Sequence, residues 1–283
     1  MSGRNRERIG VDPTELQEAD PVVQQVKNTG TELSYTQPTE MIELPTRGKF
    51  YPVGHPLHKV EAVEIRYMTA KDEEILNSRT LLQKGVALDK MIQGLLTDKS
   101  IKVDDMFLGD KNALVLAARI TGYGSDYKTG VTCTSCGEKT SHQFDLNKVR
   151  IKESPEDVVL DEEGMFKLKL PKSGAEVTLR MLTGRDEKAM KIGADKKKKH
   201  NLPESPITDN LKQIIVSVNN DSDEGVITKF VDSMLAIDSR HIREEYARLF
   251  PNVDLKQDFE CSSCNSQAEI TIPFTADFFW PGR

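Results

Sequence analysis

The four cysteines of this chain fall into two C-x-x-C pairs, and this spacing constrains the fold more than any other feature. The pairs are Cys133/Cys136 and Cys261/Cys264, and no cysteine is left over. Two thiolates that lie two residues apart can bind one metal ion from a tight turn, and two such turns supply four tetrahedral ligands. The sequence therefore predicts one zinc site, with one Zn2+ per chain, built from all four cysteines.

Each pair lies between segments that are typical of extended chain. Gly137 and Asn265 directly follow the second cysteine of each pair, where a residue that tolerates positive φ helps the turn to close. Both segments are therefore predicted to be zinc-knuckle hairpins. Because four protein ligands leave no open coordination position, the predicted role of the metal is structural.

Three other interpretations of the cysteines stay open. A redox C-x-x-C normally begins a helix, whereas the flanking residues here indicate strands. Disulfides are disfavoured in a chain that we expect to be made in the cytosol. Two separate sites, completed by His142 or by another subunit, are compatible with the spacing, although the second pair has no nearby histidine.

The two cysteine pairs end two similar stretches of sequence. Residues 63–74 and 177–188 share a strand pattern, an Arg, a Thr and an Asp-Glu pair at a constant offset. The cysteine pairs match at a slightly larger offset, which indicates extra residues in the second stretch. We interpret the chain as two tandem related repeats packed about a pseudo-twofold axis. Chance similarity of two strand-to-helix junctions is the alternative.

The two stretches also share a glycine and differ by an insertion. Upstream of the matching segments, Gly48 is paired with Gly164. Residues 196–206 are interpreted as the insertion that enlarges the offset in the second stretch.

Each repeat is predicted to have an α+β architecture, with a β-hairpin, a helical group and a C-terminal zinc-knuckle hairpin. Alternating apolar residues before Thr69 and Thr183 indicate strands, and these two threonines are predicted helix N-caps followed by acidic residues in the first turn. The predicted boundaries are a disordered N-terminal arm at residues 1–40, a first repeat at 41–150 and a second repeat at 151–283.

The composition argues against several classes of protein. With 37% hydrophobic and 30% charged residues the chain is expected to be globular, and no apolar run approaches the ~20 residues of a membrane span. No secretory signal is expected at the N-terminus. A formal net charge of −6 opposes a dedicated nucleic-acid binder, and Lys196–Lys199 are interpreted as a solvated loop, with contact to phosphate as the alternative. We find no catalytic motif, so no enzyme is predicted.

Two aromatic segments are candidate partner-binding sites. Phe50 and Tyr51 lie in a loop with a glycine and two prolines, which we expect to be rigid. Phe278, Phe279 and Trp280 lie close to the C-terminus. Since aromatic side chains are enriched at interfaces, we predict that these five are exposed anchors for a partner. For the C-terminal segment, a core strand is the alternative.

Three segments resemble the T4-type bacteriophage baseplate hub protein family. They are Leu44–Pro52, the Arg66-x-x-Thr69-x-x-Asp-Glu signal, and the run Leu108–Tyr127 before the first C-x-x-C. The resemblance spans roughly residues 40 to 280. It implies a structural or assembly protein of a contractile-tailed phage and carries no catalytic residues to this chain. The zinc prediction rests on the cysteine spacing alone.

The resemblance also implies partners and a location. The partners would be other baseplate, hub and tail proteins rather than a small-molecule substrate. The location would be the tail baseplate of the virion, after assembly in the bacterial host cytoplasm. The alternative function is a zinc-ribbon nucleic-acid-binding accessory protein, motivated by Lys196–Lys199 and the N-terminal arginines. A thiol oxidoreductase is the third hypothesis.

Overall fold

The computed structural model describes residues 37–155, 160–161, 164–272 and 276–279 of the chain. The helices in these ranges are α1 (Ala70–Asn77), α2 (Arg79–Gln83), α3 (Ala87–Leu95), α4 (Leu108–Tyr123), α5 (Gly184–Lys199), α6 (Pro206–Ile214), α7 (Glu224–Asp232) and α8 (Ala236–Leu249). The strands are β1 (Thr39–Glu43), β2 (Ala62–Arg66), β3 (Asp126–Thr132), β4 (Lys139–Asp145), β5 (Arg150–Lys152), β6 (Phe166–Lys169), β7 (Glu176–Leu179), β8 (Ile215–Val218), β9 (Asn252–Asp254), β10 (Lys256–Glu260) and β11 (Gln267–Thr271). Three short 3-10 helices span Val103–Asp105, Leu146–Lys148 and Ala276–Phe279.

Helices and small antiparallel sheets confirm the predicted α+β class. Four sheets have two strands each, pairing β1 with β2, β3 with β4, β5 with β9, and β10 with β11. The fifth sheet has the order β6-β7-β8. Residues 1–36 of the predicted arm lie outside the described residues, and β1 begins at Thr39, before the predicted start of the first repeat. The predicted boundary between residues 150 and 151 lies within β5.

The hairpins β1–β2 and β6–β7 pair in an equivalent register. Ile42 lies opposite Val63 in the first hairpin, and Leu168 lies opposite Val177 in the second. Val63, Leu168 and Val177 are buried. Ile42 is partly buried and packs against the buried residues. The alternating apolar residues therefore form strands with one face toward a core, as the sequence pattern predicts.

The connections after β1 and β6 differ in length. Residues 44–61 connect the first hairpin, whereas residues 170–175 are enough for the second. Each connection begins with Leu-Pro and contains a glycine with positive φ, Gly48 at 67° and Gly174 at 70°. Gly48 therefore corresponds in position to Gly174. The sequence-based pairing of Gly48 with Gly164 is wrong, because the longer first connection changes the offset between the two stretches.

A Thr-Asp-Arg cluster begins helix α1. The N-cap Thr69 donates its backbone N–H and its hydroxyl to Oδ2 of Asp72, at 2.9 and 2.7 Å. Arg66 at the end of β2 donates to the same carboxylate through both terminal nitrogens, at 2.6 and 2.8 Å. The acidic residue that the sequence assigns to the helix N-terminus thus also ties the strand to the helix.

The same cluster begins helix α5. Thr183 is the N-cap, and its N–H and hydroxyl both donate to Oδ2 of Asp186 at 2.8 Å. Arg180 donates to the two carboxylate oxygens at 2.9 and 2.8 Å. The predicted N-caps at Thr69 and Thr183 are therefore both confirmed.

Helix α5 extends through the lysine run. Lys196–Lys199 form its last turn and do not form the predicted solvated loop. Lysine is a good helix former, and positive charge is favourable at a helix C-terminus. The loop follows the lysines, from His200 to Ser205. The lysines are nevertheless solvated, since three of the four are exposed.

Two clusters of buried side chains form separate cores. The second core contains buried residues between Leu168 and Phe250. The first core contains buried residues between Leu44 and Leu146 and, in addition, residues from the C-terminal hairpin and the segment after it: Phe259, Cys261, Ile272, Phe278 and Phe279. The C-terminal cysteine hairpin therefore packs in the first core, although the helices that directly precede it in sequence belong to the second core.

Two crossing contacts join the chain before one cysteine hairpin to the chain after the other. Strand β5, after the first hairpin, pairs with β9, before the second. The C-terminal 3-10 helix contacts the segment before β3 through Arg119, whose Nε donates to the carbonyl of Phe278 at 2.6 Å. Nη2 of the same guanidinium donates to the carbonyl of Asp126 at 2.9 Å.

Among the helices of the described part of the chain, none combines the length and the apolar character that crossing a membrane requires.

Candidate metal centre

The first cysteine turn closes the β3–β4 hairpin. The N–H of Cys133 donates to the carbonyl of Glu138 at 2.9 Å, and the N–H of Gly137 donates back to the carbonyl of Cys133 at 3.0 Å. Gly137 has a φ of 75°, which a residue without Cβ adopts at little cost. The loop formed in this way places the sulfurs of Cys133 and Cys136 at the same end of the hairpin.

The second turn has the same construction between β10 and β11. The N–H of Cys261 donates to the carbonyl of Ser266 at 3.0 Å, and the N–H of Asn265 donates to the carbonyl of Cys261 at 2.8 Å. Asn265 has a φ of 56°, and asparagine is one of the residues that adopts this conformation most readily. Cys264 completes this turn.

The two turns meet, and all four sulfurs lie within 4.8 Å of one another. The closest cross-turn pairs are Cys133 Sγ with Cys264 Sγ at 3.7 Å and Cys136 Sγ with Cys261 Sγ at 3.8 Å. Four sulfurs at ~2.3 Å around a tetrahedral zinc ion would lie about 3.8 Å apart. The side chains therefore stand close to the geometry that a single tetrahedral ion requires.

The turns also contact each other through hydroxyl groups. Ser135 Oγ and Ser266 Oγ are 2.8 Å apart, which joins the two loops next to the sulfurs. Within the first turn, the N–H of Ser135 donates to Cys133 Sγ at 3.4 Å. Such N–H···S bonds stabilise the thiolate form of a metal ligand.

The electrostatics of the four thiols favour a bound cation. Backbone N–H groups of Cys136 and Ser135 lower the pKa of Cys133 to about 6. The N–H of Ser266 acts in the same direction on Cys264, but the neighbouring cysteine side chains raise the pKa of Cys264 to about 12. Four adjacent thiols therefore resist common ionisation, and a divalent cation between them removes that repulsion.

Burial differs within each pair in the same way. Cys133 and Cys261 are 4% and 0% exposed, whereas Cys136 and Cys264 are exposed. Between the two hairpins, the His142 ring makes edge contacts with the rings of Phe259 at 5.2 Å and Phe144 at 4.6 Å. His142 is not a member of the four-sulfur group. Since the two pairs meet, one four-cysteine site fits the geometry better than two separate sites.

The geometry also bears on the redox and disulfide interpretations. All four cysteines are free, and each pair lies in a turn between strands, where no helix N-terminus lowers the thiol pKa in the way a redox motif uses. Sulfurs of different turns approach one another at 3.7 and 3.8 Å.

Three of the five predicted aromatic anchors, Tyr51, Phe278 and Phe279, lie inside the protein, so their predicted exposure is wrong. Tyr51 is 2% exposed, and its hydroxyl donates to Asp110 Oδ2 at 2.7 Å. Phe278 and Phe279 are 1% and 4% exposed in the first core, which agrees with the core alternative although the segment is a 3-10 helix and not a strand. Aromatic side chains have a large apolar area, and burying this area in a core stabilises the fold.

The other two predicted anchors are less constrained. Phe50 is half-buried and packs against the second core. Trp280 lies outside the described residues. A partner contact through Phe50 or Trp280 therefore stays a prediction.

The sequence analysis missed three charged residues of α4 that the fold buries. Asp110, Lys111 and Arg119 are 0%, 4% and 0% exposed. Asp110 Oδ2 accepts the hydroxyl of Thr46 at 2.6 Å in addition to that of Tyr51. Burial raises the pKa of Asp110, although these hydrogen bonds oppose the shift.

Lys111 joins helices from the two cores. Its ammonium group pairs with Asp89 of α3 and, at 2.6 Å, with Glu187 of α5. Burial alone would lower the pKa of Lys111, but the two carboxylates raise it.

The sequence contains one signal for these buried charges. Asp238 follows Asp110 at the same offset that separates the two cysteine pairs. Asp238 is also 0% exposed, and its carboxylate accepts the N–H groups of residues 172 and 173, both at 2.9 Å. A buried aspartate thus precedes each cysteine pair at the same spacing.

Comparison with known proteins supplies the family. A search of curated proteins and a search of solved structures find no significant match. The sequence model of one family, described as T4 bacteriophage base plate protein, matches residues 39–280. That range holds both cores and all four cysteines. The chain belongs to the T4 bacteriophage base plate protein family.

Proposed function

We propose that this protein is a structural subunit of the baseplate hub of a contractile-tailed phage. The family match over residues 39–280 is the observation that carries the proposal. Its partners would be other baseplate, hub and tail proteins, and it would be assembled in the host cytoplasm before it joins the virion.

Within this proposal, the four cysteines hold one Zn2+ that joins the two cysteine hairpins. The sulfur distances of 3.7 and 3.8 Å across the turns support a tetrahedral ion. Zinc is favoured over harder cations because thiolates are soft ligands. With four protein ligands the ion would stabilise the fold and would not present an open position to a substrate.

The proposed duplication explains why two hairpins meet at one metal. Beyond the cysteines, it is supported by the caps at Thr69 and Thr183, by the buried Asp110 and Asp238, and by the two crossing contacts.

The crossing contacts are related to each other by the cysteine offset. Applied to Arg150, where β5 begins, this offset leads to Phe278, and applied to Asp126 it leads to Asp254, where β9 ends. The pairing of Arg150 with Asp254 and the approach of Phe278 to Asp126 through Arg119 therefore join equivalent positions in exchanged order. A pseudo-twofold axis would relate two contacts in this way.

We propose no catalytic function. Several buried groups with shifted pKa values have structural partners: Tyr51 and Asp110 bind each other, and Lys111 pairs with two carboxylates. Asp72 pairs with the strand-end Arg66. Such pairs shift pKa values through burial and ion pairing without a substrate.

The test is to place a Cys261→Ser substitution in the phage gene and to examine tails by electron microscopy. We expect tails without complete baseplates, because Ser cannot replace a buried thiolate ligand. The matched control is Ser262→Ala, an exposed position in the same turn, which should give normal particles. Normal baseplates that contain the Cys261→Ser protein without metal would contradict the zinc proposal. Normal baseplates in a strain lacking the whole protein would contradict the baseplate role.

A further inference from the structure

The distal part of helix α5 is held by few contacts. Of its sixteen residues only Gly184, at the start, is buried. Near the C-terminal end, Lys197 pairs with Asp209 of α6 at 2.6 Å and also donates to Ser205. Short helices are marginally stable without tertiary packing. A helix with most of its surface in water lacks the apolar face that normally packs against a core, so its exposed surface is available to other contacts.

This segment concentrates positive charge in an acidic protein. We call residues 191–207 the α5 tip. Four of its lysines are exposed and make no ion pair with any residue that the structure describes: Lys191, Lys196, Lys198 and Lys199. The tip contains two acidic residues, Asp195 and Glu204, whereas the whole chain has a formal charge of −6. The α5 tip is therefore a local basic region on a chain of opposite net charge.

The α5 tip also exposes aliphatic side chains. Ile192, Leu202 and Ile207 are 50%, 55% and 47% exposed. Ile192 is followed by Lys196 and Lys199 at the three- and four-residue spacing that places side chains on one face of a helix. Lysines beside exposed aliphatic groups make a mixed surface, which is the composition that matches an acidic partner with apolar side chains.

We propose that the α5 tip binds an acidic, partly apolar polypeptide segment of a neighbouring baseplate protein. This inference rests on the proposed function for the neighbour, but the chemistry of the surface comes from the residues themselves. The lysines would pair with carboxylates, and Ile192 and Leu202 would cover apolar side chains of the same segment.

A protein segment suits this surface better than a nucleic acid does. Single-stranded nucleic acid is bound by aromatic stacking platforms combined with basic side chains, and residues 191–207 contain no Phe, Tyr, Trp or Arg. Exposed aliphatic side chains gain little from a charged sugar-phosphate backbone, because burial of apolar surface requires an apolar partner. A lysine run alone would not make this distinction, whereas the exposed aliphatic side chains do.

The experiment titrates the full-length protein with three fluorescent probes and measures anisotropy. The probes are a peptide of Glu-Leu repeats, a Glu-Ser peptide of the same length and charge, and an oligothymidylate of the same charge. We expect the Glu-Leu peptide to bind most tightly. The triple variant Lys196→Glu, Lys198→Glu, Lys199→Glu should weaken its binding by roughly tenfold or more.

Two matched variants make the result specific. A triple variant of scattered exposed lysines, Lys71→Glu, Lys128→Glu and Lys169→Glu, has the same net charge and should bind the Glu-Leu peptide like the wild type. The double variant Ile192→Ser, Leu202→Ser should lose the preference for Glu-Leu over Glu-Ser. Circular dichroism checks that every variant is folded.

Three results would overturn the inference: equal weakening by the two triple variants, tighter binding of oligothymidylate than of either peptide, or no binding of the Glu-Leu peptide. The second result would favour a nucleic-acid partner. These results do not depend on phage assembly. Failure of the α5 tip can therefore be separated from failure of the baseplate role, which the tail micrographs test.

Discussion

The two cores of the protein are built from similar elements but are closed in different ways. The second core is local, with β6, β7 and β8 packed against α6, α7 and α8. The first core combines β1, β2 and α1 to α4 with both cysteine hairpins and the C-terminal 3-10 helix. The second half of the chain thus contributes its last segments to the core of the first half.

The difference explains where a metal is useful. A core that closes within a continuous stretch of chain needs no further link, whereas the first core depends on bringing residues 256–279 back to residues 126–145. Closing such a long loop has an entropic cost. A metal ion that binds both hairpins would offset this cost at the place where the two distant segments meet.

The largest expected effect comes from breaking the proposed metal site. In the purified Cys261→Ser protein, amide hydrogen exchange in β10, β11 and the C-terminal 3-10 helix should increase far more than in β6, β7 and β8. Structural zinc contributes roughly 10 kcal/mol or more to the folding of small zinc domains, and here its effect should be concentrated in the first core. The Ser262→Ala protein is the control. Equal loss of protection in both cores would show that they unfold as one unit. It would contradict the distinction between a local second core and a first core that depends on the metal.

The next effect comes from Arg119, which holds the C-terminal 3-10 helix in the first core. Its guanidinium is buried and donates to the carbonyls of Phe278, Gly124 and Asp126. Replacing it in Arg119→Met keeps much of the apolar stem but removes these bonds, and should lower the free energy of unfolding by about 3 kcal/mol. Urea denaturation measures this change in the free energy of unfolding.

The control for Arg119 is Arg243→Met, because Arg243 is exposed on α8. That change should stay within about 0.5 kcal/mol of the wild type. A similar small effect for Arg119→Met would mean that the C-terminal segment contributes little to the first core.

A smaller pair of effects compares the two helix caps. The Asp72 side chain is 3% exposed and that of Asp186 is 17% exposed. Asp72→Asn should therefore cost about 2 kcal/mol and Asp186→Asn about 1 kcal/mol, since both lose a charged hydrogen-bond acceptor but differ in burial. Thermal or urea unfolding of the two variants at neutral pH gives the ranking. The reverse order would mean that the first core does not depend on its cap more than the second does.

The carboxyl group of Asp72 also makes the free energy of unfolding depend on pH. Burial alone would raise the pKa of Asp72, but hydrogen bonds from Arg66 and Thr69 lower it to about 2, below the ~3.9 of an unfolded chain. A group with a lower pKa in the folded state stabilises fully above its unfolded pKa, and this contribution is lost as the pH falls from about 4 to 2. The wild type should lose more stability over this range than Asp72→Asn does. Parallel pH profiles would contradict the assignment.

Much of the local structure follows from the sequence, because short-range rules govern it. Thr69 and Thr183 begin helices since each has an acidic residue three positions later, and the alternation around Val63 and Val177 gives strands. The meeting of the two cysteine pairs was predictable in the same way, from ligand number and spacing. These features depend on neighbours within a few residues or on a chemical need for four ligands.

The remaining features depend on which distant segments pack together, and the sequence does not specify this locally. Tyr51 and Phe278 are residue types that are common at interfaces. In this fold, however, the Tyr51 hydroxyl donates to the buried Asp110, and Phe278 packs among the rings of the first core. The lysines of α5 have the composition of a loop, yet the preceding helix continues through them. The crossing of β5 with β9 likewise becomes visible only when the hairpins are placed in space.

The most direct test of the central claim is native mass spectrometry of the full-length protein purified without added reductant, with a denatured spectrum recorded beside it. We predict one zinc ion per chain in the native spectrum, lost on denaturation, with all four thiols free. A native chain without metal would contradict the zinc-joined structure, and a denatured mass lower by two or four hydrogen atoms would indicate disulfides at the cysteine turns.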